Sequence, residues 1–102
     1  MRILITVITI NLLMLFAAHQ AQAKAYDFEG WRQIGSKDFP VIVVDITLKY
    51  TVKSIACRAY DKYHNALGTG TKYLSNKMPG YYEVVFTIEQ GKKANYVLCR
   101  EQ

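Results

Sequence analysis

Beyond residue 25 the chain alternates apolar and polar residues with a period of two, the spacing that sends successive side chains to opposite faces of a β-strand. The strongest such run is Val41 to Tyr50, VIVVDITLKY. Ile42, Val44, Ile46, Leu48 and Tyr50 share one face, while Val41, Val43, Asp45, Thr47 and Lys49 share the other, which turns polar toward its end. A slip of one residue would turn the aliphatic set to water, so the register is well specified. Ser54 to Thr71 reads as a hairpin: Ile55, Cys57 and Ala59 alternate with Ala56, Arg58 and Tyr60, then Asp61 to Gly68 supplies a turn. The returning strand, Gly68 to Leu74, carries two glycines that signal a bulge or a close backbone approach. Residues 75–80 form a loop with a Pro79-Gly80 turn. In Tyr81 to Gln90, Tyr82, Val84, Phe86 and Ile88 oppose Tyr81, Glu83, Val85 and Thr87. Gly91-Lys92 is a tight turn, and Ala94 to Arg100 is expected to close a terminal hairpin with the strand before it.

The remaining pieces are weaker. Tyr26 to Ile34 suggests a short irregular strand near an edge, with Trp31 packing into the core, capping one end of the sheet, or serving as a contact platform. Gly35 to Asp38 is a turn, and residues 51–53, lacking Gly and Pro, form either a bend or a short corner. Six or seven short strands at turn-separated spacing, with no convincing amphipathic helix, predict an all-β fold: a small antiparallel sandwich, or alternatively a small open barrel. Hairpins over 53–74 and 80–101 are expected to supply most of one sheet, with the strand at 41–50 beginning the other.

The first residues follow a different pattern. Met1-Arg2 is a positive start, Ile3 to Phe16 is mostly aliphatic, and Ala21-Gln22-Ala23 resembles a cleavage site, which together predict a secretory signal peptide over 1–23, an apolar signal helix, followed by a β-sandwich domain over 24–102. Ala23-Lys24-Ala25 is a second possible cleavage site. The apolar run falls short of the roughly 20 residues of a spanning helix, so a retained anchor is the alternative reading. Export implies a periplasmic or secreted protein that meets the membrane only transiently, through its signal peptide.

That compartment changes the reading of the cysteines. Cys57 and Cys99, the two cysteines of the chain, are expected to form a disulfide, with two buried free thiols as the alternative. No histidine or acidic cluster stands at ligand spacing, and neither a metal nor a cofactor is expected. Loss of Arg2 with the leader leaves 12 basic against 8 acidic residues, a net charge of +4. The basic residues are scattered over strand and turn positions, as on a solvated surface. Partners of an exported basic domain are expected among proteins or anionic envelope components rather than nucleic acid.

Cys57-Arg58-Ala59-Tyr60-Asp61, followed by Ala66-Leu67-Gly68-Thr69-Gly70, resembles the hairpin of FxLyD-type domains, small immunoglobulin-like sandwiches of exported prokaryotic proteins. Tyr60 and Asp61 fit that signature, while Cys57 and Ala59 stand at its Phe and Leu positions. The resemblance implies an immunoglobulin-like or fibronectin III-like sandwich and export, and brings no catalytic residues. From the residues alone, Asp61 is expected to accept backbone N–H bonds in its turn.

Candidate chemistry is sparse. His64, the one histidine beyond the leader, stands in a turn beside Asn65, where a solvated loop residue is the simplest reading and a minor enzymatic or metal-binding role the alternative. Ser36, Ser54 and Ser75 lack a nucleophile motif. Asp45 and Glu83 can share one sheet surface, but acid/base catalysis also needs a cleft, so the chain is expected not to be an enzyme. Eight tyrosines are the unusual feature. Tyr63, Tyr73, Tyr81 and Tyr82, with Lys72 and Lys77, form the candidate binding surface, since a phenol offers large contact area at low entropic cost. The function that follows is a small exported non-enzymatic domain binding through loops or a sheet edge. The alternative is a secreted inhibitor, immunity factor or effector that inserts loop 62–67 or 75–80 into an enzyme.

Overall fold

The computed structural model describes residues 25–102, and the leader expected at 1–23 lies outside the described residues. Six strands occur: β1 (Tyr26–Gly35), β2 (Pro40–Leu48), β3 (Ser54–Tyr60), β4 (Ala66–Tyr73), β5 (Gly80–Thr87) and β6 (Tyr96–Glu101). All pair antiparallel, in two sheets of order β1-β2-β5 and β4-β3-β6. The described part is therefore all-β and sandwich-like.

The alternation decides what faces inward. Ile42, Val44, Ile46 and Leu48 of β2, Ile55 and Cys57 of β3, and Val84 of β5 are at most 1% exposed and meet in one core. Full burial of an aliphatic side chain stabilises by roughly 1.5–3 kcal/mol, which makes these positions the main holding term. Trp31 packs half-buried against this core. Tyr50 departs from its expected inward face: β2 ends at Leu48, and Tyr50 lies 47% exposed in the following loop.

Strand partnership differs from expectation at the end of the chain. Gly91 does take a positive φ of 76° in a tight turn, with the Lys92 N–H donating to the Glu89 carbonyl at 3.1 Å. Yet β5 and β6 do not form a hairpin. β5 pairs with β2, Ile42 opposite Phe86 and Val44 opposite Val84, while β6 crosses to pair with β3. The physical reason is that β2 and β3 carry the most deeply buried side chains. Each becomes a central strand only if β5 and β6 separate.

The glycines of β4 do what their positions suggested. Register shifts between Ala59 and Tyr60, where Leu67 is the extra residue, and it turns inward to 8% exposure. A Cβ on Gly70 would sit 2.5 Å from Phe86 Cβ, and one on Gly68 would collide with the Thr87 carbonyl oxygen. These two residues let β4 lie directly against β5 where the sheets meet, and the Glu89 N–H donates to the Leu67 carbonyl there at 3.1 Å.

Cys57 and Cys99 form the disulfide. The bridge joins neighbouring strands of one sheet, Cys57 directly opposite Cys99, rather than spanning the core. Such a bond is compatible with an oxidising, extracellular compartment.

Candidate functional site

Three side-chain groups carry the polar chemistry of the described residues. The first lies on the outer face of the β1-β2-β5 sheet. Asp45 and Glu83 are directly opposed on β2 and β5. Arg32 of β1 reaches both, Nη1 at 2.8 Å from Asp45 Oδ2 and Nη2 at 3.2 Å from Glu83 Oε2. The Tyr81 hydroxyl lies 2.5 Å from Asp45 Oδ1 and 2.8 Å from Glu83 Oε2, so its single proton is shared between two carboxylates.

This arrangement does not poise an acid/base pair. The Tyr81 hydrogen bond, outweighing desolvation and reinforced by Arg32, holds Asp45 below the usual carboxylate range. The same hydrogen bonds push the Tyr81 phenol well above its ordinary value, Asp45 first and Glu83 second. Asp45 thus stays ionised, and both carboxylates are occupied by Arg32 and Tyr81. The group is a clamp across three strands, and being exposed it contributes little net stability.

The second group is the β3–β4 turn. Asp61 Oδ1 accepts the N–H of Tyr63 at 2.8 Å and of Asn65 at 2.9 Å, the turn role expected from sequence. The Asn65 bond, ahead of the opposing desolvation and the Tyr63 bond, lowers the Asp61 pKa. His64 takes a left-handed φ of 71°, and its Nδ1 lies 2.8 Å from the Tyr96 hydroxyl. Tyr96 in turn stacks on Tyr60 with ring centroids 4.9 Å apart. The imidazole is therefore tied into an aromatic pair at the edge of the β4-β3-β6 sheet. Among the described residues no group of three His, Cys, Asp or Glu side chains is placed to hold a metal ion.

The third group contains most of the expected binding surface. Tyr73 at the end of β4 is 71% exposed and Tyr81 at the start of β5 is 59% exposed, flanking the 74–79 loop with Lys72 and Lys77. Tyr82 is half-buried against the core and donates its hydroxyl to the Met78 carbonyl at 2.6 Å, so it supports this loop rather than facing solvent. Tyr63 stands apart. It lies before β4 begins, so the strand's length of about 23 Å separates it from Tyr73.

Other residues join this pole from the β2–β3 loop. The Lys53 carbonyl accepts the Leu74 N–H at 2.9 Å, and the Thr51 hydroxyl lies 3.4 Å from the Lys77 carbonyl. Lys49, Tyr50 and Lys53 therefore flank the 74–79 loop, whose Met78 is 78% exposed. Lys49 is paired with Asp27 at 3.1 Å. The sequence did carry a signal for this pole: between Asp45 and Glu83 the single acidic residue is Asp61, which the fold puts at the other end of β4. Comparison of the chain with protein-family models, with curated proteins and with solved structures finds no match.

Proposed function

We propose that this chain is an exported, non-enzymatic binding domain of immunoglobulin-like build, which docks its pole of loops 49–53 and 74–79 on a phosphate-rich anionic component of the cell envelope. One observation carries the reading. Tyr73 and Met78, 71% and 78% exposed, stand beside Lys53, Lys72 and Lys77 in a part of the chain that has no acidic residue of its own. Lysines are compact point charges suited to phosphate, while exposed Tyr and Met side chains add apolar contact at an interface. The strand order β1-β2-β5 and β4-β3-β6, with the chain changing sheets three times, supports an immunoglobulin-like reading. The leader pattern and the disulfide support export.

The test is co-sedimentation with phosphatidylglycerol-containing and with purely phosphatidylcholine vesicles, alongside soluble polyphosphate. Binding to the anionic probes alone, falling with salt, is the expected result. At about 1 kcal/mol per lysine near an anionic surface, the double variant K53Q/K77Q is expected to bind about 30-fold more weakly. Equal binding to neutral vesicles, or no loss in that variant, would remove this reading. Preference for vesicles over polyphosphate identifies a lipid headgroup as the source of the phosphate, and the reverse a polymer.

A further inference from the structure

Strand edges are the places where a sheet can accept another chain, and this fold treats its edges unequally. β1 carries a register shift between Phe28 and Gly30. β4, the other edge of its sheet, is interrupted by the register shift at Leu67, whose carbonyl accepts the Glu89 N–H, and its inner face lies close against β5 at Gly68 and Gly70. β6 pairs on one side with β3, without any register shift, and contains no proline. Among the described residues nothing pairs with its other side.

The pairing pattern states which backbone groups that side offers. Cys57 and Cys99 are directly opposed with Cα atoms 4.0 Å apart, the close spacing of a non-hydrogen-bonded antiparallel pair. The N–H and C=O of Cys99 consequently point away from β3, and by the two-residue period so do those of Val97 and Glu101. Three residues therefore present three donors and three acceptors in a row. The disulfide ties this row covalently to the central strand, so the edge is held in place before anything binds. Preorganisation of that kind lowers the entropic cost of docking.

Side chains beside the edge state what kind of strand fits. Leu98 is 59% exposed on the outer face, next to Arg100, with Arg58 on the neighbouring β3. Together they border a shallow groove of about 340 Å3 floored by Ala56, Thr69 and Thr71. Arg58 donates to the Thr69 hydroxyl at 3.2 Å. Neither Arg58 nor Arg100 takes part in an ion pair among the described residues, whereas Arg32 on the other sheet binds two carboxylates. Lys92 and Lys93 precede the strand. The outer face along β6, where Leu98 and Arg100 stand beside Arg58, is thus cationic with one apolar contact, while Glu101 falls on the opposite face by the two-residue period. That outer face is complementary to an extended segment whose carboxylates lie on one side, alternating with apolar residues on the other.

We propose that the free edge of β6 is a docking site for an extended acidic peptide segment of another protein. The segment adds as a further strand, its backbone bonding Val97, Cys99 and Glu101 while its carboxylates engage Arg100 and Arg58 over the outer face. This site is separate from the lysine pole and does not depend on it.

The probe is a short peptide alternating Glu and Val, titrated into protein recovered from cells expressing the whole sequence, with amide exchange followed by NMR. Binding is expected to slow exchange at Val97, Cys99 and Glu101 selectively. Replacing Glu by Lys in the peptide, or introducing R100E in the protein, is expected to weaken binding at least about tenfold. Should R100E fold poorly, R58E reverses the neighbouring charge. K53Q/K77Q is expected to leave the affinity unchanged. The proposal is overturned by protection confined to other amides, by equal binding of a peptide N-methylated along the pairing side, or by unchanged affinity in both arginine variants. Concentration-dependent protection of the three amides without peptide would also overturn it, because a second copy of the chain would then occupy the edge.

Discussion

Reducing the Cys57–Cys99 bridge is expected to cost this domain a large share of its stability. The bond closes a loop with a sequence separation of 42 residues. In the loop-entropy account the loss is about 2.1 plus 1.5R ln 42, or roughly 13 cal/mol/K, which at 25 °C is about 4 kcal/mol. A domain with 78 described residues (102 minus 24) has a total stability of about 4–12 kcal/mol on the usual per-residue scale. Reduction should therefore remove between a third and all of it. The competing local effect is small, since reduction leaves both sulfurs in place and creates no cavity at the 1%-exposed Cys57. Urea unfolding followed by tryptophan fluorescence, with and without reductant, reads the difference through Trp31. With a slope of about 1 kcal/mol per molar urea, the midpoint should fall by about 4 M, or the reduced protein should already be unfolded in buffer. A midpoint shift under about 1 M would mean that constraint of the unfolded chain is not the main contribution of this bond.

Further outcomes follow from single positions. Gly70→Ala forces a methyl to within 2.5 Å of Phe86 Cβ between the sheets, and a loss of about 1–3 kcal/mol in urea unfolding is expected. Tyr81 is raised above its unfolded value near 10, so its contribution is complete below about pH 10 and is lost as pH rises through the folded value. Ultraviolet titration should accordingly show a tyrosine that ionises late and disappears in Tyr81→Phe; Tyr26, raised first by burial and second by Glu101, remains as another late one. Asp45 and Asp61 are both lowered, so their contributions are present above about pH 4 and are lost as pH falls through the folded values. Melting temperature should decline more gently in acid for Asp61→Asn than for the parent chain, starting from a lower value at neutral pH because its backbone-bonded carboxylate is gone.

Much of the candidate chemistry was readable wherever it depends on neighbours along the chain. Asp61 as a turn acceptor and His64 in that turn follow from short spacings, and period-two facing puts Asp45 and Glu83 on the polar faces of their strands, while their direct opposition comes from the β2–β5 pairing. Arg32 did not, because its carboxylates lie on two other strands whose pairing with β1 is a tertiary fact. The division of the tyrosine surface has the same origin. Tyr63 and Tyr73 are close in sequence, but an extended strand between them is a spacer, while Lys53 and Lys77, distant in sequence, are drawn together by two loops at one end.

Alternation and turn residues settled by themselves that the described residues are all-β, where the strands fall within a few residues, that β3 and β4 form a hairpin, and which faces turn inward. These are local properties: side-chain period and turn geometry are set by neighbouring residues. Tertiary structure alone decided that β5 leaves β6 and joins β2, that the cysteines face each other within one sheet, that Gly68 and Gly70 serve the contact with β5, and that β6 keeps an open edge. Each of these depends on which distant strand supplies the burial. Because β2 and β3 both gain by becoming central, the chain separates two strands that their tight turn would have paired.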